Sequence, residues 1–366
     1  MAVSRTKKKA VKAPGSKVPA LESGLQKNES RWRWGLRLLC LAFALNCAYT
    51  AIVRYDPRRE FSYEGGAYVD IYRGRPLMEI EKAPRWRVLV PVLAAKLPFL
   101  PEVATHYYHF IDEEKAISFR FGVLNGLGTA VAAMLLMAFM EGLGFSLLGA
   151  GLGALLYLSS HEALVNGAGM FVDPWIYAAL AGCLVLAQKG SRLWLGLAFA
   201  VALFAKETIL VALPMVFLLG HPRRWSQVLA LLLGLLPYLY FRCVLYPGGP
   251  GPELNLGVVQ TSISESLNLP FLVYSAMEFA LNFYLLGPLA WMGRLELKAQ
   301  RWKALRHLSW LLIPIAIGPR IIACEYSREW QLGFPIFIPL AVLGLMALAK
   351  KVPLPGASLV KVSAAS

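Results

Sequence analysis

The chain has 366 residues, 57% of them apolar and only 16% charged, with a mean hydropathy of +0.53. Soluble domains carry about a quarter charged residues, so this balance excludes an ordinary soluble domain and argues for an integral membrane protein. The net charge of +15 does not make nucleic acid the expected partner, because the basic residues sit mostly in tails and short loops, where they set membrane orientation.

Residues 1–34 read as a disordered, basic cytoplasmic tail. Before Trp34 the chain carries nine Lys or Arg against Glu22 and Glu29, a composition that stays solvated and is drawn to anionic membrane lipids. The first apolar run starts too late and is too long for a cleavable signal peptide. It predicts a first span over about Gly35–Val53, leading outward. The five cysteines (Cys40, Cys47, Cys183, Cys243, Cys324) lie in or beside apolar segments with no metal-ligand spacing, so they read as small hydrophobes.

A long external loop, 54–116, follows. It contains a predicted interfacial helix, Val88–Leu100, whose Pro91 and Pro98 argue against a full span. A second surface helix is expected over Pro101–Lys115, a stretch of mixed His, Tyr, Asp and Glu. Further spans are expected at about Ile117–Met140, Phe145–Leu158 and Trp175–Ala187, with Ser159–Asp173 as an external loop. Between the basic residues Arg192 and Arg223-Arg224, an apolar stretch is interrupted by Lys206-Glu207-Thr208. Two arms of about 13 residues would each rise about 20 Å at 1.5 Å per residue. A helical hairpin with its tip in or at the outer leaflet is expected, and one long tilted span is the alternative.

Spans near Ser226–Val244 and Val273–Met292 come next, then a basic inner loop with Arg294, Lys298, Arg301, Lys303 and Arg306. Spans near Leu308–Ala323 and Gly333–Ala349 complete the membrane domain, 35–350, and 351–366 forms a short basic cytoplasmic tail. The expected fold is therefore all-α, a polytopic transmembrane bundle of about ten segments (roughly nine to eleven) built on runs that approach 20 apolar residues. No internal repeat is visible, which disfavours the repeat-built transporter folds.

The richest polar stretch is Tyr63-Glu64-Gly65-Gly66-Ala67-Tyr68-Val69-Asp70, followed by Arg85-Trp86-Arg87-Val88-Leu89-Val90-Pro91. It resembles the first external loop of bacterial multi-spanning glycosyltransferases of the GT-C class, the mannosyl- and arabinosyltransferase-like enzymes. There a Tyr-Asp-Gly-x-x-Tyr run and an Arg-x-Arg-x-Leu-x-Pro segment follow the first span. Asp173-Pro174 is similar to that group's Thr-Asp-Pro motif, and Lys206-Glu207-Thr208 to its Arg-Glu-Thr motif. Arg328-Glu329-Trp330 resembles part of its final external loop. The resemblance covers roughly Asp56–Leu219 and a patch from Arg320 to Pro339. Glu64 departs from the pattern by standing where the group usually has Asp.

The resemblance implies an enzyme that takes a sugar from a polyprenyl-phosphate carrier at the external face and attaches it to a hydroxyl on a glycan, lipid or protein acceptor. Such chemistry needs a carboxylate to take the acceptor proton, or to hold a Mg²⁺ or Mn²⁺ ion that assists, and cations to stabilise the leaving phosphate. Glu64, Asp70 and Asp173 are the candidate catalytic acids. The bland reading of Glu64 is a solvated acid in a Gly turn, and that of Asp173 a helix N-cap. Arg85, Arg87, Lys206, Arg320 and Arg328 are the candidate phosphate grips, although interfacial arginines also bind ordinary lipid headgroups. Arg242 is a further cation of this kind. Asp56, Tyr63, Tyr68 and Glu207 are expected to shape the site.

Lys206 and Glu207 interrupt an apolar stretch, where ionisable groups are costly and usually paired or functional. As neighbours they cannot share a helix face, so each should have its own partner. A transporter or flippase for a lipid-linked or anionic substrate is the competing reading, and a non-catalytic envelope-assembly scaffold a third. The enzyme reading predicts charges gathered at one external face, with Glu64, Arg85 or Arg87, Asp173 and Lys206 or Glu207 converging on one cavity.

Overall fold

The computed structural model describes residues 20–53, 63–97, 113–219, 223–248, 286–298, 302–315 and 328–351, with isolated positions between 260 and 280. The described residues form helices and no strand. In chain order the α-helices that matter here are α1 (Ala20–Val53), α2 (Tyr63–Tyr72), α3 (Lys82–Arg85), α4 (Leu89–Lys96), α5 (Glu113–Gly142), α6 (Leu147–Leu158), α7 (His161–Asn166), α8 (Asp173–Lys189), α9 (Arg192–Leu203), α10 (Ala212–Leu219), α11 (Arg224–Tyr240), α12 (Leu286–Leu295), α13 (Lys303–Ser309) and α14 (Phe334–Lys351). Helix α1 starts at Ala20, so part of the expected disordered tail is helical.

Among the described residues, three helical stretches are long and apolar enough to cross a membrane: Glu113–Gly142, Arg224–Leu245 and Gln331–Lys350. That is fewer than the ten segments expected. Several predicted spans are realised as shorter apolar helices, Leu147–Leu158, Arg192–Leu203 and Glu207–Leu219, and others lie partly outside the described residues. Leu229, Leu232, Leu233, Leu236 and Leu239 of α11 are exposed, as are Leu193, Trp194, Leu197 and Val201 of α9. Continuous exposed apolar faces of this extent suit lipid, not water, so this is a membrane protein.

Cross-links bring α1 and the ends of α5, α8 and α11 together. At one end, here called the basal end, Arg33 of α1 pairs with Glu141 near the end of α5 at 3.1 Å. There the Gln188 amide donates to the Phe139 carbonyl at 3.1 Å, and the Gln227 amide to the Ala187 carbonyl at 2.7 Å. Such amide bonds between helices act as glue where little water competes, and that of Gln227 is fully buried. Helix α8 ends at Gly190 in the left-handed region, φ 71°, a natural glycine stop. A side chain there would meet the Arg223 guanidinium, so the chain leaving α8 and the chain entering α11 are neighbours.

Helices α9 and α11 run parallel. Gly196 approaches Ala230 and Gly234 through backbone atoms, and Phe204 at the end of α9 packs edge-on against Tyr238 and Phe241 at the end of α11. The chain between them therefore returns to the basal end through α10. The hairpin expected over 192–220 is present as topology, with Arg192 and Arg223 at the same end. Its arms do not zip together, however: α9 and α10 each pack on α8 and α11.

Candidate site at the end of the helical bundle

The site is built where α9 stops. The chain folds tightly after Leu203, with Ala205 and Lys206 N–H groups both donating to the Ala202 carbonyl. Lys206 itself is extended, φ −166° and ψ 139°, before a 3-10 turn over Glu207–Val211. An extended residue sends successive side chains to opposite sides. Lys206 and Glu207 consequently find separate partners, as their adjacency implied.

Lys206 Nζ lies 2.9 Å from Asp173 Oδ1. Asp173 is the first residue of α8 rather than its N-cap, with Pro174 at the first-turn position where a missing N–H costs nothing. The loop ahead of it is pinned by Asn125 in the middle of α5. This fully buried side chain donates to the carbonyls of Gly169 and Phe171, each at 2.7 Å. Asn125 was not among the sequence candidates. A polar amide in the apolar Ile117–Met140 run was the available signal.

Glu207 faces Arg87. The guanidinium gives both Glu207 oxygens a hydrogen bond, at 3.2 and 2.9 Å, in the forked geometry that arginine offers a carboxylate. The same guanidinium donates to Glu64 Oε1 at 2.7 Å and to the Tyr68 hydroxyl at 3.2 Å. One cation is thus shared by carboxylates from α2 and from the break after α9. The Leu89 N–H, at the start of α4, donates to the Phe204 carbonyl at 2.9 Å and holds these segments in register. Burial opposes the Arg87 charge, but the oxygens of Tyr68, Glu207 and Glu64 outweigh it, and the guanidinium stays charged well above its ordinary range. Tyr68 is fully buried, and burial raises its phenol pKa despite Arg87 nearby.

Glu64 is not in a Gly turn. Residues Tyr63–Tyr72 form helix α2, which puts Glu64 and Tyr68 on one face at helical spacing. Asp70 stands six residues from Glu64, about 240° around the helix. It pairs instead with exposed Arg75 at 2.9 Å and is not brought to the Arg87 cluster.

Arg85 also departs from its expected role. It is fully buried, and its guanidinium donates to backbone carbonyls: Ile80 at 2.9 Å from Nε, Met78 at 3.1 Å, and Gly248 at 2.6 Å. These contacts make it a strut between the α2–α3 segment and the chain after α11, not a grip for ligand. Arg242 comes closer to that description. It lies in a π-helical turn, Phe241–Leu245, at the end of α11. Its guanidinium stacks 4.0 Å from the Trp86 ring centre, a cation–π geometry.

Asp56 and Arg320 lie outside the described residues, as do the side chains of Tyr63 and Arg328. Arg328 itself opens a 3-10 helix, Arg328–Gly333, leading into α14. Among the described residues no group of three or more His, Cys, Asp or Glu is arranged to hold a metal ion. Glu64 and Glu207 face the same guanidinium, and Asp173 faces an ammonium.

Glu64, Tyr68, Arg87 and Glu207 thus meet in one cluster, Lys206 and Asp173 pair beside the same chain break, and Asp70 stands apart. Among the described residues gathered here, Glu64, Asp173 and Glu207 stand beside Arg85, Arg87, Lys206 and Arg242. No protein-family model, curated protein or solved structure matches this chain.

Proposed function

We propose that the chain is an integral membrane glycosyltransferase that moves a sugar from a polyprenyl-phosphate carrier to a hydroxyl acceptor at the external face of a cell's inner membrane. The observation that carries this reading is the Glu64–Arg87–Glu207 arrangement. It joins a carboxylate of the tyrosine-rich segment to the Lys206-Glu207 break, two of the stretches on which the glycosyltransferase resemblance rests. The Lys206–Asp173 pair adds the third. In this reading about ten membrane segments place both termini in the cytoplasm, with the short apolar helices α6, α9 and α10 among them.

The roles follow from position. Glu64 accepts the proton of the acceptor hydroxyl as its oxygen bonds to the anomeric carbon and the bond from that carbon to the phosphate oxygen breaks. The electron pair leaves with the polyprenyl phosphate. Arg242, stacked on Trp86 at the same end of the bundle, meets the developing charge on that phosphate. Arg87, itself bonded to Tyr68, holds Glu64 in place, and the Lys206–Asp173 pair holds the break.

The test is to incubate the purified protein with a panel of polyprenyl-phosphate sugars and membrane-derived acceptors, measuring release of the lipid phosphate. Turnover by the native protein and its loss in Glu64→Gln are expected. Absence of turnover with every donor would overturn the enzyme reading. Movement of donor across proteoliposomes without lipid-phosphate release would establish a transporter instead. An unchanged Glu64→Gln rate would remove Glu64 from the role of base.

A further inference from the structure

Away from the Arg87 cluster, a cavity of about 300 Å³ opens between α12 and α13, lined by Trp291, Arg294, Leu295, Lys298, Arg306 and Trp310 among others. Its size is that of a small ligand site. It lies beside the basal end of the bundle, since Trp302, just ahead of α13, packs against Phe145 in the α5–α6 turn with ring centres 4.7 Å apart. Three cations face this space, and none of its described lining residues is an acid. Among the described residues no carboxylate pairs with Arg294, Lys298 or Arg306. Arg294 is held at the mouth by stacking 5.3 Å from the Trp310 ring centre. Trp291 and Trp310 are both more than half exposed.

We propose that this cavity binds the phosphate of an anionic membrane lipid. Three basic side chains without a counter-carboxylate call for an anion. A lipid-borne phosphate is favoured over a free one because most of the remaining lining is apolar. Exposed tryptophans beside arginines also form the usual boundary between headgroups and acyl chains. On the orientation read from the sequence, this face meets the cytoplasmic leaflet, opposite the Glu64 site. The inference rests on the membrane character of the chain and not on sugar transfer.

The experiment is native mass spectrometry of the full-length protein in detergent, titrated separately with dioleoyl phosphatidic acid, phosphatidylcholine and diacylglycerol of the same chains, and inorganic phosphate. Phosphatidic acid is expected to bind at least about tenfold more tightly than the other three. Arg294→Gln with Arg306→Gln should weaken it by roughly tenfold or more, the scale of lost charged hydrogen bonds. Lys298→Gln, at an exposed position that folding does not depend on, should weaken it in the same direction. Equal binding of phosphatidic acid and diacylglycerol would overturn the proposal, as would unchanged affinity in all variants. Inorganic phosphate binding as tightly as the lipid would replace the lipid with a soluble anion.

Discussion

Lys206 and Asp173 form a buried ion pair, 2.9 Å apart with side chains 1% and 5% exposed. Removing one partner of such a pair leaves an uncompensated charge, whereas removing both leaves none. Lys206→Met should therefore lower stability by about 3–5 kcal/mol, and Lys206→Met with Asp173→Asn should recover most of that loss. Thermal unfolding of the two variants in detergent checks the order; equal losses would show that the pair is not coupled.

The arginines at 85 and 242 separate by readout. Arg85→Leu strands the carbonyls of Met78, Ile80 and Gly248. It should cost about 3 kcal/mol or more in stability, from several orphaned acceptors. Arg242→Ala should leave the unfolding temperature nearly unchanged and raise the KM for the lipid donor. Donor titrations beside melting curves distinguish the two.

Glu64→Gln keeps a hydrogen bond to Arg87 while losing the base, so its rate of lipid-phosphate release should fall roughly a hundredfold or more with folding intact. Asp70→Asn, on the other face of α2 and paired only at the surface, should change stability by less than about 0.5 kcal/mol and leave the rate alone. A large rate loss in Asp70→Asn would contradict the placement of the acid.

Helices α12 and α14 cross at Gly293 and Gly344. A Cβ on Gly293 would stand 1.8 Å from the Leu340 carbonyl oxygen, and one on Gly344 1.9 Å from that of Leu289. Backbone cannot step aside as a side chain can, so Gly344→Ala should destabilise by about 2 kcal/mol or more. Gly35→Ala in α1, where nothing lies within 4 Å, should be neutral or stabilise by up to about 1 kcal/mol. Melting temperatures of the two substitutions give the comparison.

Burial raises the Tyr68 pKa above its ordinary 10.0. The folded state then holds its proton where the unfolded chain gives it up. The stability Tyr68 contributes is complete below pH 10.0 and is lost as the pH rises through the folded value. Tyr68→Phe should make unfolding less sensitive to pH above that point, measured by denaturation across an alkaline series.

The long helices could be read from the sequence because uninterrupted apolar runs leave little else for the backbone to do. The Lys206-Glu207 break was equally visible, since two adjacent charges in an apolar stretch demand different partners. Helix α2 was not visible. Gly65 and Gly66 each disfavour a helix by about 1 kcal/mol relative to alanine, and the helix is held instead by burial of Tyr68, Val69 and Ile71 and by the tie from Arg87 to Glu64 and Tyr68. Nor could Arg85 be told from Arg87. The two differ by which way the chain turns after Pro84, and carbonyls as distant as Gly248 capture one of them. Asp173 was placed at the right helix start, but its partner lies 33 residues away, a separation no local pattern encodes.

The 12 residues of α9 lift the chain about 18 Å from the basic basal end to the Lys206 break. A hydrocarbon layer is about 30 Å thick. On the proposed orientation, with Arg192 and Arg223 at one membrane surface, the Lys206 break would stand short of the opposite headgroups. A water-soluble molecule would have to descend to reach it. The lipid-linked donor of the proposed reaction would instead enter sideways from the leaflet.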